Sequence, residues 1–398
     1  MAVINGTTAS DFVHRAGDGW FVGGANEVTG VTTGADTIAG NVGNDTIFGD
    51  AGADSIRGDD GNDILAGGQG ADQLFGGVGN DVFRILSVSD VSGLAETISG
   101  GNDADSLDFQ AFNAFGAVDL SAATINSIEM LLLNGNDVTL SSAQLDGFTA
   151  VFGGGFVDRL ILSDGGLVDL TGASTFGIDE LRGNALANQI ILTGMASGLS
   201  VNTLDGDDTV TGSDGNDRVE RGLGLDSLAG GLGNDTLLGG DDADWVVGGA
   251  GNDVIHGGAA VDSLDGGAGN DVFLFSLVGD ISGLAETIAG GADIDALDFQ
   301  TDLASGAADV SKAVLSGLET LLLGNTVLTI KAAQLDPFTT INGTGFLERI
   351  TLSGAGVFDL TGAAIFNVDE KAYPVDPGLT TSCAVLRTGS RGFSLRDR

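Results

Sequence analysis

The chain has 398 residues, with 68 glycines, 3 prolines and a formal net charge of −41. The scarcity of proline and the absence of a strict Gly-X-Y period exclude collagen and argue against a Pro/Gly-rich disordered chain. The excess of carboxylates disfavours nucleic acid and anionic membrane surfaces as partners and favours cations. The single cysteine, Cys383, excludes a disulfide within the chain.

The N-terminal segment, residues 1–33, is predicted to be a cap. Its stretch GTTASDFVH, residues 6–14, is a degenerate version of a unit that recurs further along the chain. The segment has no basic region followed by an apolar one, so no Sec signal peptide is expected. No run of 18 or more apolar residues occurs anywhere in the sequence, so no membrane span is expected.

Two arrays, residues 34–83 and 206–275, place an aspartate at every ninth position. Two residues after each aspartate stands an apolar residue, and two residues before it usually stands glycine. The unit is G-G-x-G-x-D-x-U-x, where U is apolar. Its aspartates are Asp36, Asp45, Asp54, Asp63, Asp72 and Asp81, followed by Asp208, Asp217, Asp226, Asp235, Asp244, Asp253, Asp262 and Asp271.

This fourteen-fold repeat resembles the RTX, or haemolysin-type, calcium-binding nonapeptide repeat of bacterial proteins. The resemblance covers Thr33–Phe83 and Gly206–Phe275. It implies a parallel β-roll, in which six residues form a turn, three form a short strand and two nonapeptides complete one coil. Glycine suits such tight turns, and one unit alone cannot bury its apolar residue, so the units must stack.

The resemblance also implies calcium between adjacent turns on the same side, which pairs each aspartate with the second aspartate after it and gives up to about ten sites. Carboxylate and carbonyl oxygens are ligands that Ca²⁺ prefers. The expected metal ligands are therefore all fourteen aspartates, together with turn carbonyls near Gly43, Gly52, Gly61, Gly70, Gly79, Gly215, Gly233, Gly251 and Gly269.

Calcium is expected to decide whether the arrays fold. Strands in a sheet are about 4.8 Å apart, and two bare carboxylates at that spacing repel each other. Calcium at extracellular concentrations would reverse this effect, whereas cytosolic calcium is too low. Weaker sites are expected where Asp242 and Ala260 replace the turn glycine.

Each array is followed by a spacer, residues 84–205 and 276–371. With an offset of 190, the second spacer duplicates residues 86–181: SGLAETISGGNDADSLDFQ begins at Ser92 and SGLAETIAGGADIDALDFQ at Ser282. Short Val, Leu, Ile and Thr runs bounded by Gly, Asn and Asp are typical of strands. The predicted fold is all-β, a parallel β-roll or β-solenoid in two tandem modules, each with an RTX β-roll and an irregular β-solenoid spacer with few calcium sites.

The tail, residues 372–398, departs from this pattern. It contains four Arg and two Asp, and the duplication stops after Glu370. One hypothesis is a truncated or frameshifted end, and the alternative is an ordinary divergent C-terminus. This atypical basic tail does not resemble the uncleaved C-terminal signal by which RTX proteins usually leave through type I secretion.

The sequence favours a non-catalytic, secreted, calcium-binding repeat protein, either structural or adhesive, or the repeat portion of a larger exoprotein. It has no H-E-x-x-H and no G-x-S-x-G, the motifs of the RTX metalloproteases and lipases. The expected location is extracellular or on the cell surface. Expected partners besides calcium are a surface or matrix polysaccharide or protein, and the type I machinery if a C-terminal signal is present.

The alternative function is a polysaccharide-active β-helix enzyme of the lyase or epimerase type. Such enzymes use carboxylates or a basic residue in a groove. This chain has only 15 Lys and Arg, and its aromatic content is 6%, which leaves few side chains to bind acidic sugars.

Overall fold

The computed structural model describes residues 3–7, 9, 11–14, 27–29, 31–91, 93–109, 116–154, 157–220, 222–275, 281, 284–299, 307–324, 326–335, 337–343, 349–353 and 363–366. The tail 372–398, with Cys383, lies outside these residues. The chain divides into two compact units, Met1–Asn202 and Thr203–Arg398. The described residues form an all-β parallel β-solenoid, and 51% of them are in strands and 4% in helices.

The first unit contains short strands and two four-residue helices, α1 (Val88–Val91) and α2 (Ser142–Leu145). Its strands are β1 (Val3–Asn5), β2 (Phe12–His14), β3 (Glu27–Thr29), β4 (Thr37–Val42), β5 (Thr46–Phe48), β6 (Ser55–Asp60), β7 (Ile64–Ala66), β8 (Gln73–Val78), β9 (Val82–Ile85), β10 (Thr97–Asn102), β11 (Ser106–Phe109), β12 (Ala117–Asp119), β13 (Thr124–Asn126), β14 (Met130–Leu132), β15 (Asp137–Leu140), β16 (Ala150–Phe152), β17 (Arg159–Leu162), β18 (Gly166–Asp169), β19 (Ser174–Phe176), β20 (Glu180–Arg182), β21 (Asn188–Ile191) and β22 (Ser200–Asn202).

The second unit has one described helix, α3 (Ala332–Leu335). Its strands are β23 (Thr209–Thr211), β24 (Arg218–Glu220), β25 (Ser227–Leu232), β26 (Thr236–Gly240), β27 (Trp245–Ala250), β28 (Val254–Gly258), β29 (Ser263–Ala268), β30 (Val272–Leu274), β31 (Thr287–Ala292), β32 (Ala296–Asp298), β33 (Ala307–Asp309), β34 (Val314–Ser316), β35 (Thr320–Leu323), β36 (Val327–Lys331), β37 (Thr340–Gly343), β38 (Arg349–Ser353) and β39 (Ala364–Phe366).

Alternate strands of the first array belong to two different parallel sheets. One sheet has the order β1-β4-β6-β8-β10-β13, and the other contains β11-β9-β7-β5-β2 as neighbours. Successive strands therefore never pair with each other, and each pairs with the strand one full coil away. Residue 37 pairs with residue 55 and residue 46 with residue 64, so one coil consists of two nonapeptides.

The apolar residue of each unit forms the core. In the first sheet the ladder is Ile38, Ile56, Leu74 and Ile98, all in register. Each of these side chains is at most 2% exposed. The other sheet buries a matching ladder, whose members are Ile47, Leu65, Phe83, Leu107 and Leu131. A single repeat cannot bury its own apolar residue, so the two stacked apolar ladders together form the core.

The second array is built in the same way. Its ladders place Val210, Leu228, Val246, Leu264 and Ile288 in one sheet, and Val219, Leu237, Ile255, Phe273 and Leu297 in the other. All are at most 1% exposed. The described part of the N-terminal segment also joins the solenoid of the first unit, where Ile4 pairs with Ile38 and Val13 with Ile47.

Beyond the arrays the coils lengthen, because residue 73 pairs with residue 97 and residue 82 with residue 106, a step of 24. The two spacers share structural details as well as sequence. Gln144 Nε2 donates to the Leu120 and Ala123 carbonyls, and Gln334 Nε2, its counterpart in the second spacer, donates to the Val310 and Ala313 carbonyls. The spacers therefore continue the parallel β-solenoid.

In most units, left-handed backbone at the fourth position explains its glycine. Gly251 and Gly269 adopt φ values of 136° and 127° there. Asp242 and Ala260 occupy the same position and are also left-handed, at 73° and 86°. Left-handed backbone costs a residue with a Cβ roughly 1 kcal/mol, and alanine has no polar side chain to offset it.

We expect Ala260→Gly to stabilise the second unit by about 1 kcal/mol, because it removes this strain. The measurement is the urea midpoint in saturating calcium. The matched control is Ala259→Gly, one residue earlier and not left-handed, which should destabilise by about 0.5–1 kcal/mol through added chain entropy. Equal effects of the two changes would contradict the strain at Ala260.

Candidate metal centre

The aspartates of the nonapeptides line the inside of the turns. All fourteen are at most 3% exposed. Carboxylates are seldom fully buried unless they are paired, since removing a charge from water is costly. So many buried carboxylates therefore need a compensating arrangement.

Backbone N–H groups donate hydrogen bonds to one oxygen of these carboxylates. In ten of the fourteen, the aspartate N–H donates to Oδ1 of the aspartate 18 residues later, at 2.7–2.9 Å. All ten pairs expected from the sequence lie together in this way. They are 36/54, 45/63, 54/72, 63/81, 208/226, 217/235, 226/244, 235/253, 244/262 and 253/271.

The second carboxylate oxygen, Oδ2, has no hydrogen-bond partner in several units. Oδ2 is buried without a hydrogen-bond partner in Asp45, Asp54, Asp63, Asp81, Asp235, Asp253 and Asp271. A buried acceptor in this state costs about 1–3 kcal/mol, and more when it is charged. A cation beside these oxygens would remove that cost.

The first glycine of each unit makes room for this oxygen. At Gly58, an added Cβ would meet the Asp63 carboxylate and would lie 2.8 Å from the Gly76 carbonyl oxygen of the next coil. The same neighbours, an aspartate Oδ2 and the next coil's carbonyl, surround Gly76, Gly230, Gly248 and Gly266. These five units thus place a carboxylate oxygen and a main-chain carbonyl oxygen around a position that a side chain would fill.

Among the residues that the structure describes, no three His, Cys, Asp or Glu side chains are grouped closely enough to hold a metal by themselves. A cation in these turns would need main-chain oxygens. The predicted carbonyls of Gly43, Gly52, Gly61, Gly215, Gly233 and Gly251 each face the glycine at the same position of the next coil. Gly70, Gly79 and Gly269 hold the same position in the last units. Oxygen ligands of this type fit Ca²⁺.

Burial and mutual repulsion raise the pKa of several of these carboxyl groups. Burial, followed by the charges of Asp72, Asp36 and Asp50, raises the pKa of Asp54 to about 7. Burial also raises the pKa of Asp81 and of Asp235 to about 7, again helped by neighbouring carboxylates. The turns therefore hold carboxylates that favour binding a positive partner, either a proton or a metal ion.

An asparagine ladder accompanies the carboxylates on one side of each array, and sequence reasoning missed it. Asn62 N–H donates to Asn44 Oδ1, and Asn80 N–H to Asn62 Oδ1. Asn234, Asn252 and Asn270 repeat the pattern with Asn216 at its start. We call the turns on this side the Asn row; their aspartates are Asp45, Asp63, Asp81, Asp217, Asp235, Asp253 and Asp271. We call the turns on the other side the second row; their aspartates are Asp36, Asp54, Asp72, Asp208, Asp226, Asp244 and Asp262. The signal was the alternation of G-N-D with G-A-D in the first array.

The fold and these turns define a parallel β-solenoid whose stacked acidic turns are suited to binding cations. Residues 31–65, 49–83, 202–237, 222–252 and 238–273 match the RTX calcium-binding nonapeptide repeat (4 copies). Both arrays are thus RTX calcium-binding nonapeptide repeats. Repeats of this family bind Ca²⁺, and proteins that carry them are typically extracellular.

No curated protein matches the chain. Each described helix is only four residues long, and none of them is long and apolar enough to cross a membrane.

Proposed function

We propose that this chain is a secreted, non-catalytic protein whose two arrays fold on binding extracellular calcium. The observation that carries the proposal is the set of buried, hydrogen-bond-free Oδ2 atoms beside main-chain carbonyls. The ligands would be the fourteen array aspartates together with the turn carbonyls. Bound calcium would supply the positive charge that offsets the paired carboxylates, at up to about ten sites.

The calcium concentration then sets where the protein folds. At a few millimolar calcium and a Kd of about 10⁻⁴ M, one independent site contributes about 2 kcal/mol. Several such sites are comparable to the ~5–15 kcal/mol net stability of a domain. In the cytosol this contribution vanishes, so the chain would stay largely unfolded until it leaves the cell.

A structural or adhesive role outside the cell follows from this behaviour. Outward side chains such as Trp245, which is 58% exposed, are available to a partner. The partner class would be a surface or matrix polysaccharide or protein.

The test is to titrate calcium into the chelator-treated protein and to follow far-UV circular dichroism. We expect a cooperative gain of β signal between about 0.1 and a few millimolar calcium, with little response to magnesium. A chelated protein that is already fully folded and does not respond would overturn the proposal.

A matched pair of variants connects the response to the turns. Asp253→Asn keeps an oxygen to accept the Asp235 N–H but removes the charge from two pairs, 235/253 and 253/271. We expect it to raise the calcium midpoint several-fold. Asp265→Asn removes the same charge from an exposed position on strand β29, and its midpoint should stay close to that of the unaltered protein.

A further inference from the structure

The ladder of buried carboxylates does not end with the nonapeptides. In the first unit, Asp72 N–H donates to Glu96 Oε2 at 2.7 Å, and Asp81 N–H donates to Asp105 Oδ1 at 2.8 Å. These bonds repeat the array pattern, but the coil between donor and acceptor is longer than two nonapeptides. Glu96 and Asp105 thus take the place of the next aspartates in the two rows.

The second unit repeats the arrangement at the equivalent positions of the duplicated module. Asp262 N–H donates to Glu286 Oε2 at 2.6 Å, and Asp271 N–H donates to Asp295 Oδ1 at 2.8 Å. In both units, therefore, a glutamate follows the second row and an aspartate follows the Asn row. The Asn row itself also reaches this coil, because the N–H groups of residues 104 and 294 donate to Asn80 and Asn270.

Three of these added carboxylates keep an unsatisfied oxygen, as Asp81 and Asp271 do in the repeats. Asp105 and Asp295 are 0% exposed and Glu96 is 2% exposed. Asp105 Oδ2, Asp295 Oδ2 and Glu96 Oε1 are buried without a hydrogen-bond partner. Each side chain is thus held by one backbone N–H and presents its other oxygen to the interior of the turn.

Asp105 and Asp295 also have the same kinds of neighbour as the array aspartates: a glycine of their own coil and a main-chain carbonyl of the next coil. An added Cβ at Gly100 would meet the Asp105 carboxylate and the Ser127 carbonyl oxygen, and one at Gly290 would meet the Asp295 carboxylate and the Gly317 carbonyl oxygen. Gly76, in the last nonapeptide of the first array, has the matching neighbours, Asp81 Oδ2 and the Gly100 carbonyl oxygen. The final nonapeptide therefore also takes a carbonyl from this extra coil.

We propose that each array carries one further calcium-binding coil, with sites at the pairs 72/96 and 81/105 in the first unit and 262/286 and 271/295 in the second. The four added carboxylates lie outside the segments that match the nonapeptide repeat, which end at residues 83 and 273. They are Glu96, Asp105, Glu286 and Asp295. The proposal rests on calcium binding by the arrays themselves. It adds up to four ions to the ten that the nonapeptides would hold.

The test uses the full chain and four single substitutions. Asp105→Asn and Asp295→Asn keep an oxygen to accept the N–H of Asp81 or Asp271 and remove only the charge. The controls are Asp103→Asn and Asp293→Asn, which make the same charge change in the same turns at exposed carboxylates. Both control positions are left-handed, with φ of 77° and 84°, and asparagine adopts that conformation readily.

Two readouts are measured at graded calcium concentrations: bound calcium by equilibrium dialysis, and amide hydrogen exchange of peptides within 94–109, 284–299 and the arrays. We expect Asp105→Asn and Asp295→Asn each to lose about one bound ion. Each should also shift protection of its own extra coil to several-fold higher calcium, while the controls match the unaltered protein.

The outcomes separate this proposal from the one it rests on. Arrays that show no calcium-dependent protection would overturn calcium binding as a whole. The extra coils alone would be overturned if the arrays gained protection with calcium but the peptides 94–109 and 284–299 were equally protected with and without it. They would also be overturned if Asp105→Asn and Asp295→Asn bound as much calcium as the unaltered protein. Calcium-dependent protection of the arrays and of the extra coils, together with the loss of about one bound ion in each substituted chain, supports both proposals.

Discussion

Gly58→Ala should prevent the first array from folding normally even in saturating calcium. The new Cβ would meet the Asp63 carboxylate and lie 2.8 Å from the Gly76 carbonyl oxygen. Neither neighbour can move freely, since Asp63 accepts the Asp45 N–H and the carbonyl belongs to the next coil. Forcing a methyl group into a packed site costs about 1–3 kcal/mol, and displacement of Asp63 would also weaken the proposed sites at 45/63 and 63/81. The measurement is the urea midpoint followed by circular dichroism.

Gly34→Ala is the matched control for this substitution. Its added Cβ would have only the Thr32 hydroxyl oxygen nearby, at 3.8 Å, which is an ordinary contact. We expect a change within about 0.5 kcal/mol. If both substitutions were equally harmless, the carboxylates could not lie against the first glycine of each unit.

Acid should stabilise the metal-free protein, which is the opposite of what most proteins show. The pKa values of Asp54, Asp81 and Asp235 are raised to about 7 in the folded chain, first by burial and then by neighbouring carboxylates, from an ordinary value of 3.8. Between these values the folded chain binds protons that the unfolded chain has released. Their contribution to stability is therefore complete below about pH 4 and is lost as the pH rises through about 7.

We expect the chelated protein to show more β signal, and a higher urea midpoint, at about pH 5 than at about pH 8. Saturating calcium should reverse this order or abolish it, because the ion competes with protons for the same carboxylates. The comparison needs the two titrations side by side, with and without calcium. Rising stability of the chelated protein from pH 5 to 8 would contradict the burial of bare carboxylates in the folded turns.

The regular part of the molecule could be predicted because its period is constant. A nine-residue spacing of aspartate and apolar residue predicts the inward position of Ile56 or Leu74. Its resemblance to the RTX repeat implies the β-roll and the pairing of Asp54 with Asp72. The place of Ala260 in the unit also identified it as a residue that replaces the turn glycine. These features depend on neighbours at a fixed distance along the sequence, and such a pattern can be counted.

The missed features depend on contacts that the period does not reveal. Glu96 and Asp105 fall outside the nine-residue period, because an insertion that includes helix α1 lengthens the coil before them. In the sequence they look like ordinary surface carboxylates. The asparagine ladder was hidden for another reason: asparagine before aspartate is a common turn signal, and its side chain could equally have faced water.

The alternation of the two rows has a consequence for how such arrays change in length. Asn62 accepts the N–H of residue 80, two nonapeptides away, and the second row has no matching ladder in the first array. Adding or removing two nonapeptides leaves every later turn on its own side. A change of one nonapeptide would exchange the sides for all later turns, and would set asparagine turns beside alanine ones. Arrays of this design should therefore vary in whole coils, so that the number of calcium sites changes two at a time.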